Sequence, residues 1–252
     1  MHLGNIKYFR TLYRILGPKP RALYKYHTVN QYLFDLLDNN RFWAGSAVDL
    51  NDPYDCNFEI SYKFFRSKYL DQIKPSEIGI KSTGAEEDKR VWDSLAPVFD
   101  QNLLGAFQNF YRSQIGVCCF SQNLVSELMW SHYANAGKGV CLGFNFSDNK
   151  GIEKKIMPVK YANDAIEVRD EIDRFKAMFQ KRRSWSYERE WRILADVGHI
   201  QFEKSDLRSL TFGPRVSKDD MENISQACKK NGYEPVFQIC DYNKEGLKII
   251  KL

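Results

Sequence analysis

From Ala22 onward, short apolar runs of strand type and stretches of helical spacing follow one another in irregular order. That order restricts the fold more than any single motif does. ALYKYHT (22–28) reads as a strand. VNQYLFDLLDNN (29–40) has apolar residues at 29, 33, 34, 36 and 37, the spacing of a helix that stops at Asn39-Asn40. RFWAGSA (41–47) reads as the returning strand. Further strands are expected at IGVCCFS (115–121), GVCLGFNF (139–146) and KKIMPVKYA (154–162), with PVFQICDY and GLKIIKL as a closing pair. Helices are expected at LVSELMWSHYAN (124–135), AIEVRDEIDRFKAMFQKRR (165–183) and SKDDMENISQACKKNG (217–232). The last has Ser217 as N-cap, an acidic first turn and Gly232 beyond its end. A doubly wound parallel sheet needs strict alternation. The expectation is therefore an α+β fold, with a mixed or largely antiparallel sheet flanked by helices.

The organisation follows from the breakers. Ile6, Phe9, Leu12, Tyr13 and Leu16 alternate with Lys7, Arg10 and Arg14, and Gly17-Pro18-Lys19-Pro20 ends the pattern. Residues 1–20 are thus expected as an N-terminal helical extension packed on the body. They contain no long apolar run and no small-residue cleavage site, so neither a secretory signal nor a membrane partner is expected. Residues 21–252 are expected as a single α+β domain, long enough to bury a core and 43% hydrophobic over the whole chain. Residues 66–90 lose periodicity and read as a mobile connection, and 91–114 as a helix bent at Pro97. The six cysteines have no CxxC pair, so they read as buried thiols in a reducing cytoplasm, with no metal expected. Net charge is +5, which is compatible with an anionic partner but does not require one.

SWSYEREWRI (184–193) sets two glutamates one residue apart among aromatics and arginines. As a strand it would turn Glu188, Glu190 and Arg192 one way, and Tyr187, Arg189, Trp191 and Ile193 the other. The plain reading is a solvated surface strand whose Glu-Arg neighbours screen each other. The functional reading is a carboxylate pair lining a pocket, one member stabilising positive charge on a ribose ring and the other accepting a proton. Other groups read as structural. Asn51 and Asp52 suit a turn, with Asp55 the member that could face a pocket. Gly137, Gly139 and Gly143 fit a helix stop and strand entry, not a phosphate loop. Cys119 and His132 would need contact and an orienting third group for thiol catalysis, and the apolar run of Cys119 beside Cys118 favours an inert buried thiol. Lys181-Arg182-Arg183 suits a helix C-terminus.

LYKY, NDPYD, CFS followed by LMWSHYA and GKGVCLGF, WSYEREWRI and a late LTFGPR together resemble the bacterial family catalogued as domain of unknown function 2971. The resemblance implies phage, mobile-element or defence settings. The chain also resembles, more distantly, the ADP-ribosyltransferases. Those carry a basic residue on an early strand, a serine after an aromatic on a middle strand and a glutamate on a later one. This resemblance implies NAD as substrate and an unknown macromolecular acceptor, nucleic acid among the candidates. It implies that Lys25 holds the dinucleotide phosphates, with His27 beside it, and that Ser121 places the ribose. Glu190 would stabilise the oxocarbenium-like transition state and Glu188 would activate the acceptor. Tyr26, Trp130 or Tyr133 would stack on nicotinamide. The alternative is a non-catalytic module that binds nucleic acid or protein.

Overall fold

The computed structural model describes residues 19–95, 101–244 and 246–252. The N-terminal extension and the bend at Pro97 lie outside the described residues, except for Lys19 and Pro20. Strands in chain order are β1 (Leu23–His27), β2 (Arg41–Ser46), β3 (Phe58–Ile60), β4 (Ile115–Ser121), β5 (Val140–Phe144), β6 (Ile156–Pro158) and β7 (Lys160–Tyr161). They continue with β8 (Ile166–Val168), β9 (Gln180–Lys181), β10 (Glu190–Asp196), β11 (Gly198–Gln201), β12 (Leu207–Phe212), β13 (Val236–Asn243) and β14 (Gly246–Lys251). The architecture is α+β. No helix among the described residues is long and apolar enough to cross a membrane.

The chain divides into two compact units. The first gathers the chain up to Gly45, Ile115–Tyr161 and Arg183–Leu252. It is built on a ten-stranded sheet ordered β11-β2-β4-β1-β5-β12-β13-β14, with β10 pairing β4 and β6. The pairs β1–β4, β1–β5, β10–β4, β12–β5 and β13–β14 are antiparallel, and β12–β13 is parallel. Directly opposite residues share a face. Leu23, Lys25 and His27 therefore stand with Phe144, Leu142 and Val140, while Tyr24 and Tyr26 stand with Gly143 and Cys141.

The first of these faces is the main core. Leu142, Val140, Phe144, Leu210, Phe212 and Phe120 pack there under Leu33, Leu36 and Leu37 of the Gln31–Asn39 helix and Ile224 and Cys228 of the Lys218–Lys230 helix. Both helices are capped, the second by Ser217 as expected. Asn30 accepts from the amides of Tyr32 and Leu33, and Ser217 from that of Asp220. The second face holds a smaller cluster of Tyr26, Cys141 and Cys240 under Met129, Trp130 and Ala134. Met129 and Trp130 belong to the Glu127–Tyr133 helix.

The second unit comprises Ser46–Gln114 and Ala162–Arg182. Its β3 and β8 pair in parallel. Residues 66–90, expected as an aperiodic connection, are helical over Arg66–Leu70, Pro75–Ile78 and from Ala85. Residues 165–183, expected as one helix, form β8, a helix at Glu171–Ala177 and β9. Asp170 caps that short helix through the amide of Asp173, which forces extended backbone before it. Lys181 therefore ends no helix. It is buried and lies 3.3 Å from the carboxylate of Asp55, which also accepts from the Cys56 amide. Asp55 thus belongs to a buried ion pair. Asp52 holds the Tyr54 amide through one oxygen, the turn expected of it.

Candidate functional site on the second face of the sheet

The strand reading of YEREWRI is correct from Glu190 onward and not before. Arg183–Glu188 is a 3-10 segment, and Arg189 turns the chain with φ +44°. That is the left-handed region, where a residue with a β-carbon is strained. The amide of Gln122 donates to Arg189 O and the amide of Arg189 to Ser186 O, which together pin the turn. β10 then runs antiparallel to β4, with Glu190 opposite Ser121 and Arg192 opposite Cys119.

The Glu-Arg face is not solvent-exposed. Glu188, Glu190 and Arg192 are 3%, 4% and 0% exposed. This overturns the solvated-edge reading. Charges of this kind are tolerated inside a protein only when paired. Arg192 forms a fork on Glu190, Nε donating to Oε1 at 2.5 Å and Nη2 to Oε2 at 2.9 Å. The spacing explains the pair: residues two apart on a strand share a face. The amide of Glu190 donates to the Tyr161 hydroxyl at 2.8 Å. Tyr133, at the end of the Glu127–Tyr133 helix, donates its hydroxyl to Glu188 Oε1. Ser121 Oγ donates to Glu188 O at 2.6 Å and accepts from the Asn123 amide at 2.9 Å. Ser121 therefore ties the strand that carries it to the turn that carries Glu188.

Ser121 is also opposite Tyr24 on β1, so Tyr24, Ser121 and Glu190 form one row across three adjacent strands. Tyr24 was not among the candidates from sequence. It is half-buried, and its ring lies against Gly143, where an added β-carbon would stand 3.3 Å from the ring and 2.2 Å from Ser209 Oγ. The missing side chain at Gly143 makes that berth. Burial raises the Tyr24 phenol above its ordinary value, so it is a neutral hydroxyl.

The remaining candidates separate by face. Lys25 stands with Leu142 on the opposite side of the sheet from Ser121 and Glu190. Its ammonium donates to Cys119 O at 3.0 Å and lies 5.2 Å from the Phe120 ring centroid. The structure does not bring it into the row. His27 is on that same side, and its Nε2 is sealed without a hydrogen-bond partner. Burial, with the Lys25 charge beside it, pushes its pKa down to about 3, so it is a neutral core imidazole. Tyr26 and Trp130 are on the site's face but buried. They meet edge-on at 5.1 Å, with the Tyr26 hydroxyl donating to Asn123 O and the Trp130 indole N–H to Leu124 O. They support the site and offer no open stacking face. Cys119 is held protonated by burial, then by the neighbouring Glu190 charge, as expected of an inert thiol. None of the six cysteines is in a disulfide.

Around Glu188 the exposed side is aromatic. Trp185 and Tyr187, both half-buried, lie 6.0 Å apart with planes 34° apart, and exposed His132 lies 6.4 Å from Tyr187 at 30°. A family model described as "Protein of unknown function (DUF2971)" matches residues 129–193. That span contains Trp130, Tyr133, both carboxylates and Arg192. No curated protein and no solved structure matches the chain.

Proposed function

We propose that the second face of the sheet cleaves NAD and transfers ADP-ribose to a macromolecule, as in an ADP-ribosyltransferase-like effector of toxin or phage-defence type working in the cytoplasm. The supporting observation is the row Tyr24–Ser121–Glu190, with Glu188 on the same face and aromatic rings around it. In this reading Tyr24 carries the nicotinamide ring, a role first expected of Tyr26, Trp130 or Tyr133, and the ribose lies over Ser121. The C1′–N bond breaks and its electron pair leaves with nicotinamide, which becomes neutral. Glu190 faces the positive charge left on the ribose. Arg192 grips both oxygens of that carboxylate and fixes its orientation. The acceptor's nucleophile then bonds to C1′ and gives its proton to Glu188. Lys25 has no part in the chemistry here.

The test is nicotinamide release, followed by proton NMR, for the wild type and for Glu188→Gln, with and without cell lysate. The glutamine keeps a carbonyl to accept from Tyr133 but cannot take a proton, and a circular-dichroism melt of the variant checks that it stays folded. Loss of a general base lowers rates by about 10²- to 10⁴-fold. Release by the wild type alone supports the reading. No release by the wild type with lysate present removes it in favour of the non-catalytic binding module.

A further inference from the structure

Glu188 is held at both ends. Its backbone carbonyl accepts from Ser121 Oγ at 2.6 Å, and its Oε1 accepts from the Tyr133 hydroxyl. The two hydroxyls come from different elements, β4 and the Glu127–Tyr133 helix. The residue is buried, so its carboxylate depends on partners that the fold supplies.

The helix is fastened along the length that leads to Tyr133. Ser126 caps its start through the Met129 amide, the Trp130 indole N–H donates to Leu124 O, and the Gly137 amide donates to Trp130 O beyond its end. Met129 and Trp130 are buried with Tyr26, Cys141 and Cys240, and the half-buried Tyr133 packs against the same cluster. The sheet face therefore fixes the Tyr133 ring, and through it the hydroxyl beside Glu188. An ionised carboxylate only accepts hydrogen bonds, so a phenol that donates to it favours the form able to take a proton. It also selects one rotamer of a side chain that otherwise samples several.

We infer that Tyr133 is a positioning residue, whose hydroxyl holds the Glu188 carboxylate in the orientation that takes the acceptor's proton, and that it does not stack on nicotinamide. This role rests on the proposed transfer, in which Glu188 is the proton acceptor. The two roles for Tyr133 differ in the atoms they use. Stacking would act through the ring, which phenylalanine shares. Positioning acts through the one oxygen that phenylalanine lacks. A catalytic group displaced by about 1 Å loses about 10²-fold in rate, which sets the scale of the effect.

Steady-state nicotinamide release by the full chain, with NAD varied and cell lysate as the acceptor source, tests this in four proteins: the wild type, Tyr133→Phe, Glu188→Gln and the double variant. Each is assayed below its own melting midpoint. Tyr133→Phe keeps the ring on its cluster and is expected to lower kcat about 10- to 100-fold, with KM for NAD within about twofold of the wild type. In the Glu188→Gln background the same change is expected to cost less than about twofold, because the hydroxyl acts only through the carboxylate. The inference is overturned if Tyr133→Phe matches the wild type, if it raises KM and leaves kcat unchanged, or if it costs as much without the Glu188 carboxylate as with it. Release by the wild type with an indifferent Tyr133→Phe would remove this role and leave the proposed transfer standing. No release by the wild type would remove the transfer, and this role with it.

Discussion

Glu190→Gln is the perturbation whose result the structure fixes most tightly, and its first effect is on stability. Arg192 is fully buried and Glu190 nearly so, and the two oxygens of Glu190 take both prongs of the guanidinium. Glutamine would leave one acceptor and no charge in that fork, so the buried guanidinium loses its Glu190 counter-charge. Removing one partner of such a pair costs about 3–5 kcal/mol. For a chain of this length each kcal/mol is about 2–4 °C in Tm, so the midpoint should fall by roughly 6–20 °C. Arg192→Met should cost a similar amount, because it removes the counter-charge of a buried carboxylate. The double variant Glu190→Gln/Arg192→Met should recover part of the loss, since it leaves no charge without its counter-charge, while the buried amide still costs. Circular-dichroism melts of the four proteins close the cycle and give the coupling energy. A Glu190→Gln midpoint within about 2 °C of the wild type would refute this, because the charge on Arg192 would then have another outlet. One consequence reaches the chemistry. Lost activity in Glu190→Gln alone cannot be assigned to catalysis, so Glu188→Gln is the informative variant.

Two further outcomes follow from the same packing. His27 keeps no proton when folded until about pH 3, whereas an unfolded histidine takes one below about pH 6.5. The unfolded state therefore binds more protons between these values, stability rises with pH across that window, and acidification from pH 7 to 5 removes about 2 kcal/mol. Urea midpoints at the two pH values should show that difference in the wild type and a smaller one in His27→Leu. An added β-carbon at Gly213 would stand 2.3 Å from Gly137 O and 2.9 Å from Gly139 O, both backbone atoms that cannot swing away. Gly213→Ala should thus cost about 1–3 kcal/mol or more in a urea titration. An unchanged midpoint would show that the loop at Gly137 is free to move.

Local signals carried the fold class and most of the first unit. The helix at Gln31–Asn39, the strands on either side of it and the Ser217 cap all depend on neighbours close in sequence. The 165–183 stretch failed for the opposite reason. Its charges have helical spacing, but Ile166–Val168 pairs with Phe58–Ile60, more than a hundred residues away. A pattern read over a short window cannot weigh that pairing against helix formation. The GKG segment and LTFGPR also explain each other only in space. The Gly213 amide donates to Gly139 O and the Arg215 amide to Gly137 O, so motifs about seventy residues apart form one backbone junction.

At the site the alternation rule placed Glu190, Arg192, Trp191 and Ile193 correctly but was wrongly extended back over Tyr187, Glu188 and Arg189, which precede the strand. Nothing in the residue type of Arg189 announces φ +44°, because the strain is imposed by bonds from Ser186 and Gln122. Burial of the Glu-Arg face was just as hard to see. A strand with Trp191 and Ile193 on one side needs only that side covered, and Glu and Arg on the other are what a solvated strand would carry. Register supplies only the residues that flank Arg192 in the sheet, Cys119 on one neighbour and Met157 on the other. Lys25 shows the same limit. Its alternation with Tyr24 and Tyr26 was legible, but only the pairing of Tyr24 with Ser121 shows which face of β1 belongs to the site. Once that register is known, the lysine leaves the site and the tyrosine enters it. A test of the chemistry therefore begins at Tyr24 and Glu188, not at Lys25.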